Sequence, residues 1–220
     1  MKGVAKPLTP RPPGFATIQQ DGEGPMKLLE ERIRKDGLIK EGNVLKVDSF
    51  LNHQIDIRLM KKIGEEIKRR FSDVEFNKVL TIESSGIAIA SAVAYVNEIP
   101  VVFAKKGQTV NSTDDKYVAK AYSFTHKKYN EIFVSKPYVK PTDKILIVDD
   151  FLADGEASAA LIDLVKQAHA ELVGVGIAIE KGMQPGGAKL RAAGVRLESL
   201  AIVESMDAES GFIQFREQES

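Results

Sequence analysis

The sequence predicts an α/β domain built on a mainly parallel sheet with helices on both faces, and three observations carry that prediction. Strand-like and helix-like stretches alternate along the chain, with connections long enough for crossovers. Lys144–Ser158 reads as strand, acidic tip, small-residue turn and helix. Its Ile145-Leu146-Ile147-Val148 run is apolar on both faces, Asp149-Asp150 follows, and Ala157, Ala160, Leu161, Leu164, Val165 and Ala168 recur at helical spacing. Val79-Leu80-Thr81-Ile82, the turn Glu83-Ser84-Ser85-Gly86 and an apolar helix from Ile87 to Asn97 repeat that plan.

The 220 residues suffice for one domain with a substantial core. Basic and acidic residues balance at 31 each, so net charge argues for neither a nucleic-acid nor a membrane partner. Without cysteine there is no disulfide frame and no thiolate metal site, and His53, His126 and His169 are too scattered for a histidine cluster. No run approaches the ~18 apolar residues of a membrane span, and the first residues lack the apolar segment of a signal peptide. A cytoplasmic protein is the expectation.

Taken in order, residues 1–25 hold five of the nine prolines and no amphipathic period, so a disordered extension is expected there, with the domain proper spanning 26–220. Met26–Gly37 reads as a helix with Leu28, Leu29 and Ile33 on one face and Gly37 at its end. Val44–Phe50 reads as a strand, broken by the polar Asn52-His53-Gln54, and Ile55–Phe71 as a helix with Ile63, Ile67 and Phe71 aligned. Val101–Ala104 is a short strand ending at Lys105-Lys106. Gly107–Lys128 lacks a period and carries many lysines, the profile of a lid or binding loop. Tyr122–Phe124 and Ile132–Val134 are candidates to pair at its base. Beyond the central unit, Leu172–Ile179 is another buried strand, with Gly174 and Gly176 explained by close packing and Glu180-Lys181 at its tip. A short helix follows Gln184–Gly187 and ends at Gly194, and Leu197–Val203 and Phe212–Phe215 read as terminal strands.

Ligands of open α/β sheets sit outside the carboxyl ends of the strands. A helix amino terminus entered through small residues offers backbone N–H groups to a phosphate, and an acid pair at a strand tip accepts hydrogen bonds from hydroxyls. Asp149-Asp150 ahead of Ala153-Asp154-Gly155-Glu156-Ala157 therefore points to a ribose phosphate. The whole array resembles the phosphoribosyl diphosphate (PRPP) motif of type I phosphoribosyltransferases. Four further segments resemble the bacterial xanthine phosphoribosyltransferases within that family: Leu45–Gln54, Thr81–Ile87, Tyr122–Thr125 and Gly176–Lys181.

That resemblance implies a homodimer with a parallel-sheet core, a small hood formed by amino- and carboxyl-terminal segments, and a flexible lid loop at Gly107–Lys128. It implies transfer from PRPP to xanthine, giving xanthosine 5′-monophosphate and pyrophosphate with Mg2+ carried mainly by PRPP and no metal ligands from the protein. By matching position, Asp149 and Asp150 face the ribose, and Ala153, Asp154, Gly155, Glu156 and Ala157 bind the 5′-phosphate through backbone amides, with help from Ser158. Leu45, Asn52 and Lys181 hold the base, Phe151 packs near it, and Ser84, Ser85 and Gly86 cradle the pyrophosphate with Lys105 adding a cation. An ammonium and an amide both suit a base rich in carbonyls. The loop departs from the family pattern at Asp154 and Glu156, since carboxylates beside a phosphate must turn away, and Asp154 is expected to cap the helix instead. The rival readings are a hypoxanthine or guanine transferase and a non-catalytic PRPP-sensing regulator; the latter needs a DNA-binding element, and no helix-turn-helix pattern is visible here.

Overall fold

Why Val44–Lys46 stops as a strand is written in the spacing of its successors. Val47, Phe50 and Leu51 are all buried, a three-and-four spacing that a strand cannot turn to one side. The computed structural model, which describes residues 25–107, 115–123 and 128–218, resolves that conflict with a π-helical turn over Asp48–Asn52. The expected strand over Val44–Phe50 is thus corrected to three residues. The proline-rich extension lies outside the described residues, except for Pro25, which opens the first helix.

Helix α1 covers Pro25–Asp36 and ends as expected at Gly37, whose N–H bonds Ile33 O at 2.8 Å. Strands β1 (Leu38–Lys40) and β2 (Val44–Lys46) form a separate antiparallel pair around the turn Glu41-Gly42-Asn43. Helix α2 spans Ile57–Arg70 and is capped by Asp56, whose side chain accepts the N–H groups of Arg58 and Leu59. Then come β3 (Lys78–Ile82), α3 (Gly86–Asn97), β4 (Val101–Lys106), β5 (Lys116–Ser123) and β6 (Lys128–Ser135). The central unit supplies β7 (Lys144–Leu152) and α4 (Glu156–Gln167), followed by β8 (Glu171–Lys181), α5 (Gly186–Ala192), β9 (Leu197–Met206) and β10 (Ile213–Phe215).

Eight strands form the main sheet in the order β10-β9-β8-β7-β3-β4-β6-β5. The five from β9 to β4 are parallel, with Leu80 beside Ile147 and Asp149 beside Ile177. Antiparallel β10 closes one side and the β5–β6 hairpin the other. One apolar cluster joins α1, α2 and α3 to one face through Leu29, Ile33, Ile63, Ile67, Ile89 and Val148. A second joins α4 to the other through Ile145, Ile147, Leu161, Val165 and Val175. Gly174 sits where a Cβ would lie 2.6 Å from the Phe71 ring, which is the close packing expected for it.

The hood joins the two ends of the described chain. Arg34 donates to Ile213 O at 2.6 Å and stacks 4.8 Å from the Phe215 ring centroid, so α1 clasps β10. The Gly107–Lys128 segment differs from the aperiodic loop expected. Lys116–Ser123 is a strand paired along its length with β6, and Tyr122 lies opposite Tyr129 while Ile132 lies opposite Ala119. The expected pairing of Tyr122–Phe124 with Ile132–Val134 is therefore out of register. Inward positions of β5 are held by Tyr117, Ala119 and Ala121, and alanines make a faint alternation. Residues 108–114 and 124–127 of the expected lid lie outside the described residues.

Candidate active site

The acid pair lies two residues before the end of β7, a strand buried along most of its length. Ile145, Leu146, Ile147 and Val148 have no exposure at all, and Asp149 and Asp150 follow at 4% and 6%. The Asp150 N–H donates to Asp149 Oδ1 at 3.0 Å. Burial pushes the Asp149 carboxyl well above the usual range, the neighbouring Asp150 carboxylate pushes in the same direction, and the Lys106 ammonium opposes both. Among the described residues, Lys106 is the lysine whose charge is felt at Asp149. Lys105, the candidate from sequence, is exposed and adjacent on β4, where successive side chains point to opposite faces.

Two anion-loop candidates border this pair. Past β7, Ala153-Asp154-Gly155 leads directly into α4, whose first turn has backbone N–H groups without intrahelical acceptors. Glycine is favoured at Gly155 for two reasons. Its φ is +88°, and a Cβ would lie 3.1 Å from Gly186 Cα, because Gly186 N bonds Ala153 O at 2.9 Å and lays the β8–α5 loop against the β7–α4 loop. Past β3, Ser84 is exposed, Ser85 half-buried and Gly86 buried at the start of α3. Glu83 pins this turn to β4, accepting the Lys106 N–H at 2.5 Å. A Cβ on Gly86 would collide with Thr81 Oγ1 and come within 2.5 Å of Asp149 Oδ1. The start of α3 is therefore in contact with the acid pair.

Asp154 does not cap α4. The cap position belongs to Gly155, one residue later, and no side chain bonds there. The charge of Asp154 acts instead on Lys181, whose pKa it supports against a larger lowering by burial. Glu156 sits half-buried in the first turn of α4, where a negative side chain suits the helix dipole.

Lys181 ends β8, the strand beside β7. Its Nζ donates to Asn43 O in the β1–β2 turn at 3.0 Å and lies 5.7 Å from the Phe151 ring centroid. The preceding Glu180 faces away and is locked: Arg191 reaches it with two hydrogen bonds of 2.7 Å, and Ser199 Oγ donates at 2.5 Å. Burial works to raise the Glu180 carboxyl, yet the Arg191 and Ser199 bonds hold it below its ordinary value. Leu45 is buried, in one apolar cluster with Leu51, Phe151 and Met183. Asn52 Oδ1 is buried with no hydrogen-bond partner among the described residues, and the same holds for Gln184 Oε1 three residues beyond Lys181. Gln184 was not singled out from sequence, where it reads only as the start of a turn; its orphaned oxygen is visible only in the fold.

The structure thus brings Gly86 against Asp149 and the charge of Lys106 within its reach, lays the loop Ala153–Gly155 against the β8–α5 loop, and sets Lys181 between the Phe151 ring and the β1–β2 turn. The family model described as the phosphoribosyl transferase domain matches residues 46–192, which include all of these but the turn. The chain belongs to the phosphoribosyltransferase family.

Relatives of this phosphoribosyltransferase carry a narrower name. The xanthine phosphoribosyltransferase of Lachnoclostridium phytofermentans is 56% identical over 191 residues, covering 87% of this chain and 98% of that protein. That of Clostridioides difficile is 53% identical over 192 residues, 87% of this chain and all of its own length. The fold is shared more widely. Adenine phosphoribosyltransferases from Thermoanaerobacter pseudethanolicus and Giardia lamblia superpose with TM-scores of 0.68 and 0.67 at 18% and 21% identity. The first alignment covers 80% of this chain and 98% of the other; the second covers 79% and 96%.

Proposed function

We propose that this phosphoribosyltransferase transfers the 5-phosphoribosyl group of PRPP to xanthine, releasing pyrophosphate and forming xanthosine 5′-monophosphate for purine salvage. The observation that carries the base assignment is Lys181, a half-buried ammonium anchored at 3.0 Å by a backbone carbonyl and set beside the Phe151 ring. Xanthine brings carbonyls to such a donor, and Asn52 can both donate and accept through its amide. Adenine would present an amino group to Lys181 and leave the ammonium unpaired, a mismatch that discriminates strongly. Relatives at 49% to 56% identity bearing the xanthine name support the same assignment.

In this reading Asp149 and Asp150 take the ribose hydroxyls, and the backbone from Ala153 to Ala157 takes the 5′-phosphate. Ser84, Ser85 and Gly86 frame the pyrophosphate, with Lys106 close to its ribose side. Bond breaking at the anomeric carbon passes through an oxocarbenium-like state, as in glycoside chemistry, so positioning and water exclusion dominate. Magnesium suits a site where, among the described residues, the Lys106 charge faces both a buried acid pair and a diphosphate; carried on the diphosphate, it would supply charge neutralisation of the leaving group. Chelation is expected to abolish turnover and added Mg2+ to restore it.

The deciding experiment follows pyrophosphate release with xanthine, guanine, hypoxanthine and adenine in parallel. Xanthine is expected to give the highest kcat/KM and adenine none. A chain for which xanthine is the poorest oxopurine would be a hypoxanthine or guanine transferase, and one that binds PRPP without turnover would be a sensor. No helix among the described residues is long and apolar enough to cross a membrane; a cytoplasmic homodimer completes the proposal, with sedimentation giving the subunit number.

A further inference from the structure

Thr81 lies near the end of β3 with no exposure, among the apolar residues Val79, Leu80 and Ile82. Its Oγ1 has no hydrogen-bond partner among the described residues. A buried hydroxyl left unpaired is a cost that valine, nearly the same shape, would remove. Packing alone gives no reason for threonine here. The hydroxyl does have a neighbour: Thr81 Oγ1 and Asp149 Oδ1 converge on the point where Gly86 lacks a Cβ. Asp149 Oδ1 already accepts the Asp150 N–H, and a carboxylate retains further lone pairs for another donor.

We propose that Thr81 is a positioning residue, whose hydroxyl donates to the Asp149 carboxylate when PRPP is bound and fixes its aim at the ribose. The proposal rests on the reading of Asp149 as a ribose-facing acid and deepens it. Among the described residues, the Asp150 carboxylate disfavours the ionised form of Asp149, and the Asp150 N–H and the Lys106 ammonium favour it; a hydroxyl donor adds to the favourable side without adding charge. Gly86, wedged between Thr81 and Asp149, also begins the helix behind Ser84-Ser85. Occupation of the pyrophosphate loop and orientation of the ribose acid therefore share one contact point.

The test compares Thr81→Val and Thr81→Ser with the parent enzyme, using xanthine and PRPP kinetics together with thermal melting. The valine variant is expected to lose about tenfold or more in kcat/KM for PRPP, the scale of a hydrogen bond to a charged group. Its KM for xanthine should stay within twofold and its melting temperature should not fall. The serine variant is expected to recover most of the loss. Parent-like PRPP kinetics in the valine variant would overturn the proposal, as would a loss that serine does not recover or one that tracks a fall in melting temperature. An inactive parent enzyme would instead overturn the functional reading itself.

Discussion

At the scale of single residues, Lys181 is an ammonium with three neighbours of different kinds. A backbone carbonyl takes one of its protons, an aromatic ring lies beneath it, and a carboxylate acts from the phosphate loop. Burial lowers its pKa and Asp154 raises it, so its charge is lost below the pH at which an ordinary lysine loses it. The KM for xanthine should therefore climb as pH rises through that lowered value. Asp154→Asn removes the supporting charge, so the climb should begin at lower pH than in the parent, while the KM for PRPP does not rise. Identical pH profiles for xanthine would show that Asp154 does not serve Lys181. Lys181→Ala should raise the KM for xanthine by about tenfold or more and leave PRPP binding, followed by calorimetry, nearly intact. Asp149, Asp150 and Lys181 stand out in the sequence because each carries chemistry of its own at or near the end of a strand. The carbonyl of Asn43 does not, since any residue has one and this one lies 138 positions away from Lys181. Lys105 and Lys106 are indistinguishable in composition, and only the pleat of β4 separates them.

At the scale of elements, the two strand–loop–helix units were legible because a doubly buried strand and an apolar helix leave strong, different periods. Short or weakly apolar pieces were not. The β5 strand presents alanines to the core, and the turn after β2 reads as a strand until Val47, Phe50 and Leu51 are seen to share a side. Glycines at the unit junctions carry the geometric demand. Gly155 combines a positive φ with backbone of the neighbouring loop at van der Waals limit, so Gly155→Ala should cost about 1–2 kcal/mol from the conformation alone, read by urea denaturation. The tight 3.1 Å approach to Gly186 Cα presses on the phosphate loop as well, so affinity for PRPP should fall more than affinity for xanthine. Equal losses for both ligands would mean that the two loops move as one body.

At the scale of the whole molecule, the fold is shared with chains named for adenine at 16% to 22% identity, and in the proposed reading the base is told apart at the β1–β2 turn and the end of β8. What ties that region to the core is a polar brace. Glu180 on β8 holds Arg191 of α5 and Ser199 of β9, and Ser199 O accepts Arg70 Nη1 of α2 at 3.0 Å. Arg70 in turn bonds the buried Glu66, whose carboxyl Arg69 and Arg70 hold below its ordinary value against burial. Both carboxylates have lowered folded-state pKa values, so they stabilise the fold above the ordinary carboxyl range, and that contribution is lost as pH falls through the lowered values. Melting temperature should accordingly drop steeply in acid below about pH 4.5. Arg191→Met isolates the brace at neutral pH, because it strands the Glu180 carboxylate in a site with almost no solvent. Leaving a buried charge without its partner costs on the order of 3 kcal/mol, and the loss should appear as a lower urea midpoint. It should also raise the KM for xanthine more than that for PRPP, since Lys181 is the residue next to the one released. A variant as stable as the parent would show that Ser199 and the charge of Arg216 suffice for Glu180.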